Sequence, residues 1–194
     1  MATGMDQERV FAAIAVKGEA QERLAAWSHL MQQQYAFRKW TAAADFHITL
    51  QFYGDVDRAK LPELSHTLAA TVAGHSPFKL QLGRPAYFGL PERPRVWWID
   101  PEGDRSALNA LQHDIVHACE AIGYKAEQRP YHPHITIARK YAGSEPFEAL
   151  ATEDIHLDGI AWQVEEVVLY CTRMGQIPMY ELAGCFPLTK DRLL

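Results

Sequence analysis

Two stretches, FHITLQFYG from Phe46 to Gly54 and HPHITIARK from His132 to Lys140, spell one tetrapeptide twice: His-Ile-Thr, then Leu or Ile. In the first, Phe46, Ile48, Leu50 and Phe52 alternate with His47, Thr49, Gln51 and Tyr53. A period of two residues is the pattern of a strand, with successive side chains on opposite faces. The apolar set must be the buried side, so His47 and Thr49 look away from that core. In the second stretch Ile135 and Ile137 take the buried role, and His134 and Thr136 face the other way. The predicted strands run over Phe46–Tyr53 and Pro133–Lys140.

A single His-x-Thr strand is ordinarily just a half-exposed strand, because Thr is a good strand former. Two copies, each with an apolar back face, point instead to a groove lined by two imidazoles and two hydroxyls. Such a groove suits phosphoryl chemistry. Imidazole titrates near neutral pH, so one ring can take a proton from water while the other gives one to a leaving oxygen. Thr hydroxyls can donate to the phosphate oxygens between them. This scheme requires no metal and no other cofactor.

In HITLQFYG the His-x-Thr motif runs into a Phe-x-Gly turn, and in PHITIAR it is preceded by Pro133 and followed by Ala138-Arg139. Together with the opening RVFAAIAV and the chain length, these features resemble the two-histidine (2H) phosphoesterases. Within them the likeness is to the RNA 2′,3′-cyclic phosphodiesterase branch, long known as 2′-5′ RNA ligases. The resemblance implies an α+β fold of two similar lobes, each with an antiparallel sheet and helices on its outer face, the sheets forming a central groove. Residues 1–194 would form one such domain of two pseudo-symmetric lobes. It implies His47 and His134 as catalytic, and Thr49, Thr136 and Arg139 as ligands of the phosphate. It leans toward His134 as base and His47 as acid, which the residues alone do not separate. Strict alternation from His134 turns Arg139 to the back face and Lys140 to the front. Arg139 can reach the phosphate only if the strand bulges or ends near Ala138. The first copy has Phe52 at the equivalent place, so the site should be asymmetric.

The expected reaction is hydrolysis of a terminal 2′,3′-cyclic phosphate, on RNA or a nucleotide, to a 2′-phosphomonoester. Alternatives are a 2′-5′ oligonucleotide phosphodiesterase of the same superfamily, and a module that binds RNA ends or nucleotides without turnover. Retention of both histidines disfavours the binding module.

Bulk composition bounds these readings. The 194 residues carry a net charge of −5, with 48% hydrophobic and 22% charged residues. That is an ordinary globular balance, and it argues against a generic nucleic-acid coat. Lys125, Arg129 and Lys140 flank the second motif and could make the groove locally positive. Cys119, Cys171 and Cys185 lack disulfide or zinc spacing and read as reduced thiols of a cytoplasmic protein. No leader pattern and no membrane-length apolar run is visible, so no membrane partner is expected; the chain is expected to be a monomer.

Along the chain, Arg9–Val16 reads as a buried strand and Glu19–Tyr35 as a helix. Asp57 caps a helix with the stripe Leu61, Leu64, Leu68 and Val72. Phe78–Leu82, Ala86–Phe88 and Val96–Ile99 read as strands, and Asp104–Ile122 as a helix stopped by Gly123. Val164–Thr172 and Tyr180–Phe186 are the last strands. His29, His66, His113 and His117 fall on helix surfaces, and His75 and His156 in loops. The pair His132 and His134 lacks further ligands for a metal, so His132 belongs to the pocket rim or the surface. Of Trp97 and Trp98, one ring should enter the core and the other turn outward, where it could stack a base.

Overall fold

A computed structural model describes residues 6–148, 157 and 159–190. His156 lies outside the described residues. Among the described residues, nine strands and three helices follow the order β1 (Gln7–Ala15), α1 (Gly18–Gln34), β2 (Phe37–Trp40), β3 (His47–Asp57), α2 (Leu61–Val72), β4 (Phe78–Leu90), β5 (Arg93–Gly103), α3 (Arg105–Ala121), β6 (Ile135–Tyr141), β7 (Ala161–Val164), β8 (Glu166–Thr172) and β9 (Tyr180–Pro187). Short 3₁₀ turns at Ala43–Asp45 and Arg58–Lys60 lead into β3 and α2.

The strands form an antiparallel sheet in the order β7-β4-β5-β6-β3-β1-β8-β9, with β2 beside β6. Its two halves meet at one rung, where Ile48 of β3 pairs with Ile135 of β6. Each His-Thr strand is reached through the same unit. β1, α1 and β3 on one side correspond to β5, α3 and β6 on the other, and both helices are 17 residues long.

The helices pack on one face of the sheet. Leu24, Trp27 and Met31 of α1, Leu64, Leu68 and Val72 of α2, and Leu108, Leu111 and Ile115 of α3 join Ile14, Ile48, Ile99 and Ile135 in one core. Burying each such side chain stabilises the fold by about 1.5–3 kcal/mol. Asp104 caps α3 by accepting from the Ala107 N–H at 2.9 Å, and Gly123 ends it with a φ of +94° that few other residues tolerate. The opposite face carries its own cluster of Phe11, Ala13, Val168 and Tyr170. From Val10 to Ala15 β1 is therefore apolar, because there it lies between β3 and β8 and is covered on both faces.

Several boundaries differ from the pattern reading. β3 continues through Gly54 to Asp57, since Gly54 takes a φ of +74° and keeps pairing with β1. Phe78–Leu82 and Ala86–Phe88 are one strand, interrupted by a register shift between Leu82 and Pro85. Val164–Thr172 is split between β7 and β8. β2 was not expected, because FRKW is short and half charged; it is a strand through pairing with β6.

Candidate active site

The first feature of the site is a bulge, and it occurs twice. On β3, Thr49 pairs with Ala13 and Gln51 with Ala12, leaving Leu50 as the extra residue. On β6, Thr136 pairs with Trp98 and Ala138 with Trp97, leaving Ile137 as the extra residue. Both sit three positions after the histidine. Each bulge puts two consecutive residues on the core side, Leu50 with Gln51 and Ile137 with Ala138, all buried. The next residue then returns to the open face. Arg139 thus lies on the side of Thr136, and its Nη2 donates to Thr136 Oγ1 at 3.4 Å. The register shift that Arg139 requires is present. Strict alternation fails on β3 as well: Gln51 is buried, while Phe52 is 55% exposed rather than part of the core. Lys140 is held at φ +60° at the exposed end of β6.

The Ile48–Ile135 rung brings the two motifs together. Since β3 and β6 run antiparallel, His47 falls next to Thr136 and Thr49 next to His134. Each imidazole is oriented alike. His47 Nδ1 donates to the Asp45 carbonyl at 2.7 Å, and His134 Nδ1 donates to the His132 carbonyl at 2.8 Å. A carbonyl only accepts, so each Nδ1 carries a proton and each Nε2 is left to work at the open face. At His47 the Thr49 hydroxyl donates to Nε2 at 3.1 Å.

Both imidazoles are hard to protonate. Desolvation pushes His47 down to about 4, with the facing charges of His134 and Arg139 adding to it. Desolvation also lowers His134, again helped by Arg139. Arg139 therefore acts electrostatically on both rings, which places it centrally.

The walls differ. Across one half of the sheet, register pairing sets Phe52, Phe11, Tyr170 and Leu182 in one row over four strands. Phe52 lies parallel to Phe11, 5.7 Å apart at 8°, and Phe11 approaches His47 at 5.0 Å. Tyr180 meets His47 edge-on at 5.1 Å. The corresponding row on the other half is Arg139, Val96 and Phe88. There Phe88 and Trp98 stand 5.1 and 5.9 Å from the His134 ring. Trp97 joins the core, whereas Trp98 is the groove-side ring of the pair, though buried. His132 is exposed and lies against Trp98 at 5.0 Å.

Asp45 was missed by sequence reasoning. It is 5% exposed, and its carboxylate accepts from the backbone N–H groups of Met179 and Tyr180 at 2.8 and 3.1 Å. One residue thus fixes the His47 ring through its carbonyl and the Tyr180 wall through its side chain. Phe11 and Tyr170 also escaped notice, because groove-facing aromatics in strands apolar on both faces read as core; Tyr180, at the start of the largely exposed β9, escaped as well. Period two along β8, with Val168 and Tyr170 on one face and Val167 and Leu169 on the other, is the signal that separates them. Among the described residues no cluster of three His, Cys, Asp or Glu side chains could hold a metal. No helix among them is long and apolar enough to cross a membrane.

Comparison with known proteins agrees with this geometry. The sequence pattern of the 2′-5′ RNA ligase superfamily matches residues 17–175. An RNA 2′,3′-cyclic phosphodiesterase of Geobacillus stearothermophilus is 36% identical over 184 residues; the alignment covers 95% of this chain and 58% of that protein's length. The protein of the same name from Bacillus subtilis is 32% identical, over 79% of this chain and 82% of its own. Among solved structures, E. coli LigT complexed with 3′-AMP superposes with a TM-score of 0.73 at 25% identity, over 94% of this chain and 99% of LigT. A protein of Thermus thermophilus gives 0.75 at 24% identity, over the same shares. The repeated His-x-Thr strands, the fold they occupy and these matches together show that the chain belongs to the 2′-5′ RNA ligase superfamily of two-histidine phosphoesterases.

Proposed function

We propose that the protein hydrolyses a terminal 2′,3′-cyclic phosphate, on RNA or a nucleotide, to a 2′-phosphomonoester. The observation that carries this reading is the pair of matched imidazoles. Each has Nδ1 tied to a backbone carbonyl and Nε2 turned to a shared groove, with a Thr and the one Arg139 beside them. The relatives named RNA 2′,3′-cyclic phosphodiesterase support the substrate class.

The phosphate sits between the imidazoles. Thr49 and Thr136 donate to its oxygens, and the planar Arg139 fork binds charge that grows in the transition state. His134 takes a proton from water, and His47 gives one to the departing 3′-oxygen, contributing about 10²–10⁴ in rate each. Because desolvation makes both rings resist protonation, the proton on the acid enters with the anionic substrate. Phe52, flat on Phe11 with its other side open, offers a stacking platform for the base. The chain works as one domain of two pseudo-symmetric lobes, a reading supported by the repeated motif and repeated bulge. It acts as a monomer in the cytoplasm, where the free thiols Cys119, Cys171 and Cys185 are at home.

The test is incubation with 2′,3′-cyclic AMP in EDTA, followed by phosphorus NMR. Conversion to 2′-AMP is expected; no conversion, or conversion only with added metal, would refute the reading.

A further inference from the structure

β2 gives the groove a feature that hydrolysis of a cyclic phosphate does not need. Lys39 pairs in register with Arg139 of β6. Paired residues share a face, so Lys39 continues the row of Arg139 and Val96 by one strand. Its ammonium donates to the Met179 thioether at 3.1 Å, a weak acceptor that a phosphate oxygen readily replaces. Met179 belongs to the segment that Asp45 pins beside His47, so Lys39 stands at the rim of the same site.

The surroundings are basic. Arg38 precedes Lys39 on β2, Lys140 follows Arg139 on β6, and Arg93 and Arg95 lie at the start of β5, all exposed. None of these cations has a salt bridge among the described residues, and Arg93 reaches only the Gly143 carbonyl. Glu92 and Glu145 are the nearby acids in sequence, and neither is bridged to them. Elsewhere several basic residues are paired: Arg9 with Asp55, Lys17 with Glu166, Arg58 and Arg173 with Glu8, Arg105 with Asp100, and Arg129 with Glu127. Of the three cations expected to make the groove positive, Arg129 is paired with Glu127, while Lys125 and Lys140 have no salt bridge among the described residues. The opposite outlet, over Phe52, Phe11, Tyr170 and Leu182, is apolar and offers nothing to a polyanion.

The geometry points to a backbone track: Lys39 binds the phosphodiester next to the cyclic phosphate, so that an RNA chain leaves the groove across β2. This rests on the proposed reaction and adds to it that the preferred substrate is an RNA end rather than a mononucleotide. A mononucleotide has no second phosphate for Lys39 to hold.

The experiment compares Lys39→Gln, Lys39→Glu and the distant surface control Lys60→Gln on two substrates, 2′,3′-cyclic AMP and a short single-stranded RNA ending in a 2′,3′-cyclic phosphate. Lys39→Gln should raise KM for the RNA roughly tenfold, the size of one charge-assisted hydrogen bond, and move that for cyclic AMP little. Lys39→Glu should do more in the same direction, and Lys60→Gln nothing. Binding of an RNA carrying a terminal 2′-phosphate, followed by fluorescence anisotropy, should lose about 0.7 from its logarithmic salt slope in Lys39→Gln. Equal damage to both substrates would make Lys39 a ligand of the reacting phosphate and overturn the track, as would no damage to either. Should the wild type turn over neither substrate, the reaction is wrong, and the anisotropy slope still decides the track.

Discussion

Ile48 and Ile135 face each other across the one rung at which β3 pairs with β6, and each stands immediately beside a groove histidine. Both are fully buried. Truncation to Ala removes core contacts and leaves a cavity, at about 2–5 kcal/mol, whereas Val costs about 0.5–1.5 kcal/mol. Ile135→Ala should therefore lower the urea midpoint far more than Ile135→Val. It should also lower kcat beyond its effect on the folded fraction, because the rung sets the spacing of the imidazoles. An Ile135→Ala enzyme with wild-type kcat on the folded population would show that the halves are held in place by something else.

His47→Ala and His134→Ala should each reduce kcat by about 10²–10⁴, with folding intact by circular dichroism. The two should differ on a phosphodiester with a p-nitrophenolate leaving group, which departs without a proton. His47→Ala, which loses the acid, should recover much of its deficit there; His134→Ala, which loses the base, should not. Recovery by His134→Ala alone would reverse the roles.

Arg139→Ala should cost about 2–4 kcal/mol in kcat/KM, in line with loss of a group that binds developing charge. Lys140→Ala should stay within a few-fold of wild type, since the bulge at Ile137 gives the groove position to Arg139. Kinetics on both single variants decide it. Lys140→Gly should add stability, because Lys140 sits at φ +60°, where a side chain costs about 1–2 kcal/mol.

Asp45→Asn keeps the shape and the carbonyl to His47 but removes the charge that accepts from Met179 and Tyr180. Hydrogen bonds to a charged group contribute about 1.5–3 kcal/mol, so a stability loss near that size is expected in thermal unfolding. Activity should fall chiefly through kcat, as Tyr180 and the His47 ring lose their common anchor. Unchanged stability would mean that the carboxylate is not holding the β9 segment.

The histidines also predict a pH dependence. In the folded chain His47 is held at about 4, below the unfolded value of about 6.5, so between these limits the unfolded state binds more protons. Stability is thus full above the upper limit and declines as pH falls through the window. His47→Gln should flatten that decline. With substrate the sign reverses: the phosphate anion favours the charged imidazole, and binding takes up a proton. Calorimetry of a 2′-phosphorylated nucleotide in buffers of different ionisation enthalpy measures the uptake. Zero uptake near neutral pH would contradict the proposed protonation cycle.

What the sequence made legible stops at a definite place in each motif. His47 and Thr49, like His134 and Thr136, follow from alternation alone, and so do the buried Ile48 and Ile135. One residue further the alternation breaks at Leu50 and Ile137. A bulge is a relation between a strand and its partner, so no local pattern announces it. Arg139 was placed by resemblance, and physics supplied only the condition it had to meet. Lys39 lies in a strand that exists through pairing with β6, and Asp45 acts through backbone groups of residues far along the chain. Neither relation leaves a trace in a single sequence.

The twin bulges turn position five after each histidine into an address. Whatever residue stands there is delivered to the open face that carries the histidine, while the core residues of both strands stay where they are. Phe52 and Arg139 are the two present occupants. Exchanging them, Phe52→Arg with Arg139→Phe, leaves the back face of the sheet untouched and swaps the aromatic and cationic poles of the groove. A substrate would then have to seat itself the other way round, with the imidazoles trading donor and acceptor duties. On the proposed reaction, the way round in which a nucleotide enters the groove would then rest on these two side chains, one stacked on Phe11 and the other bonded to Thr136.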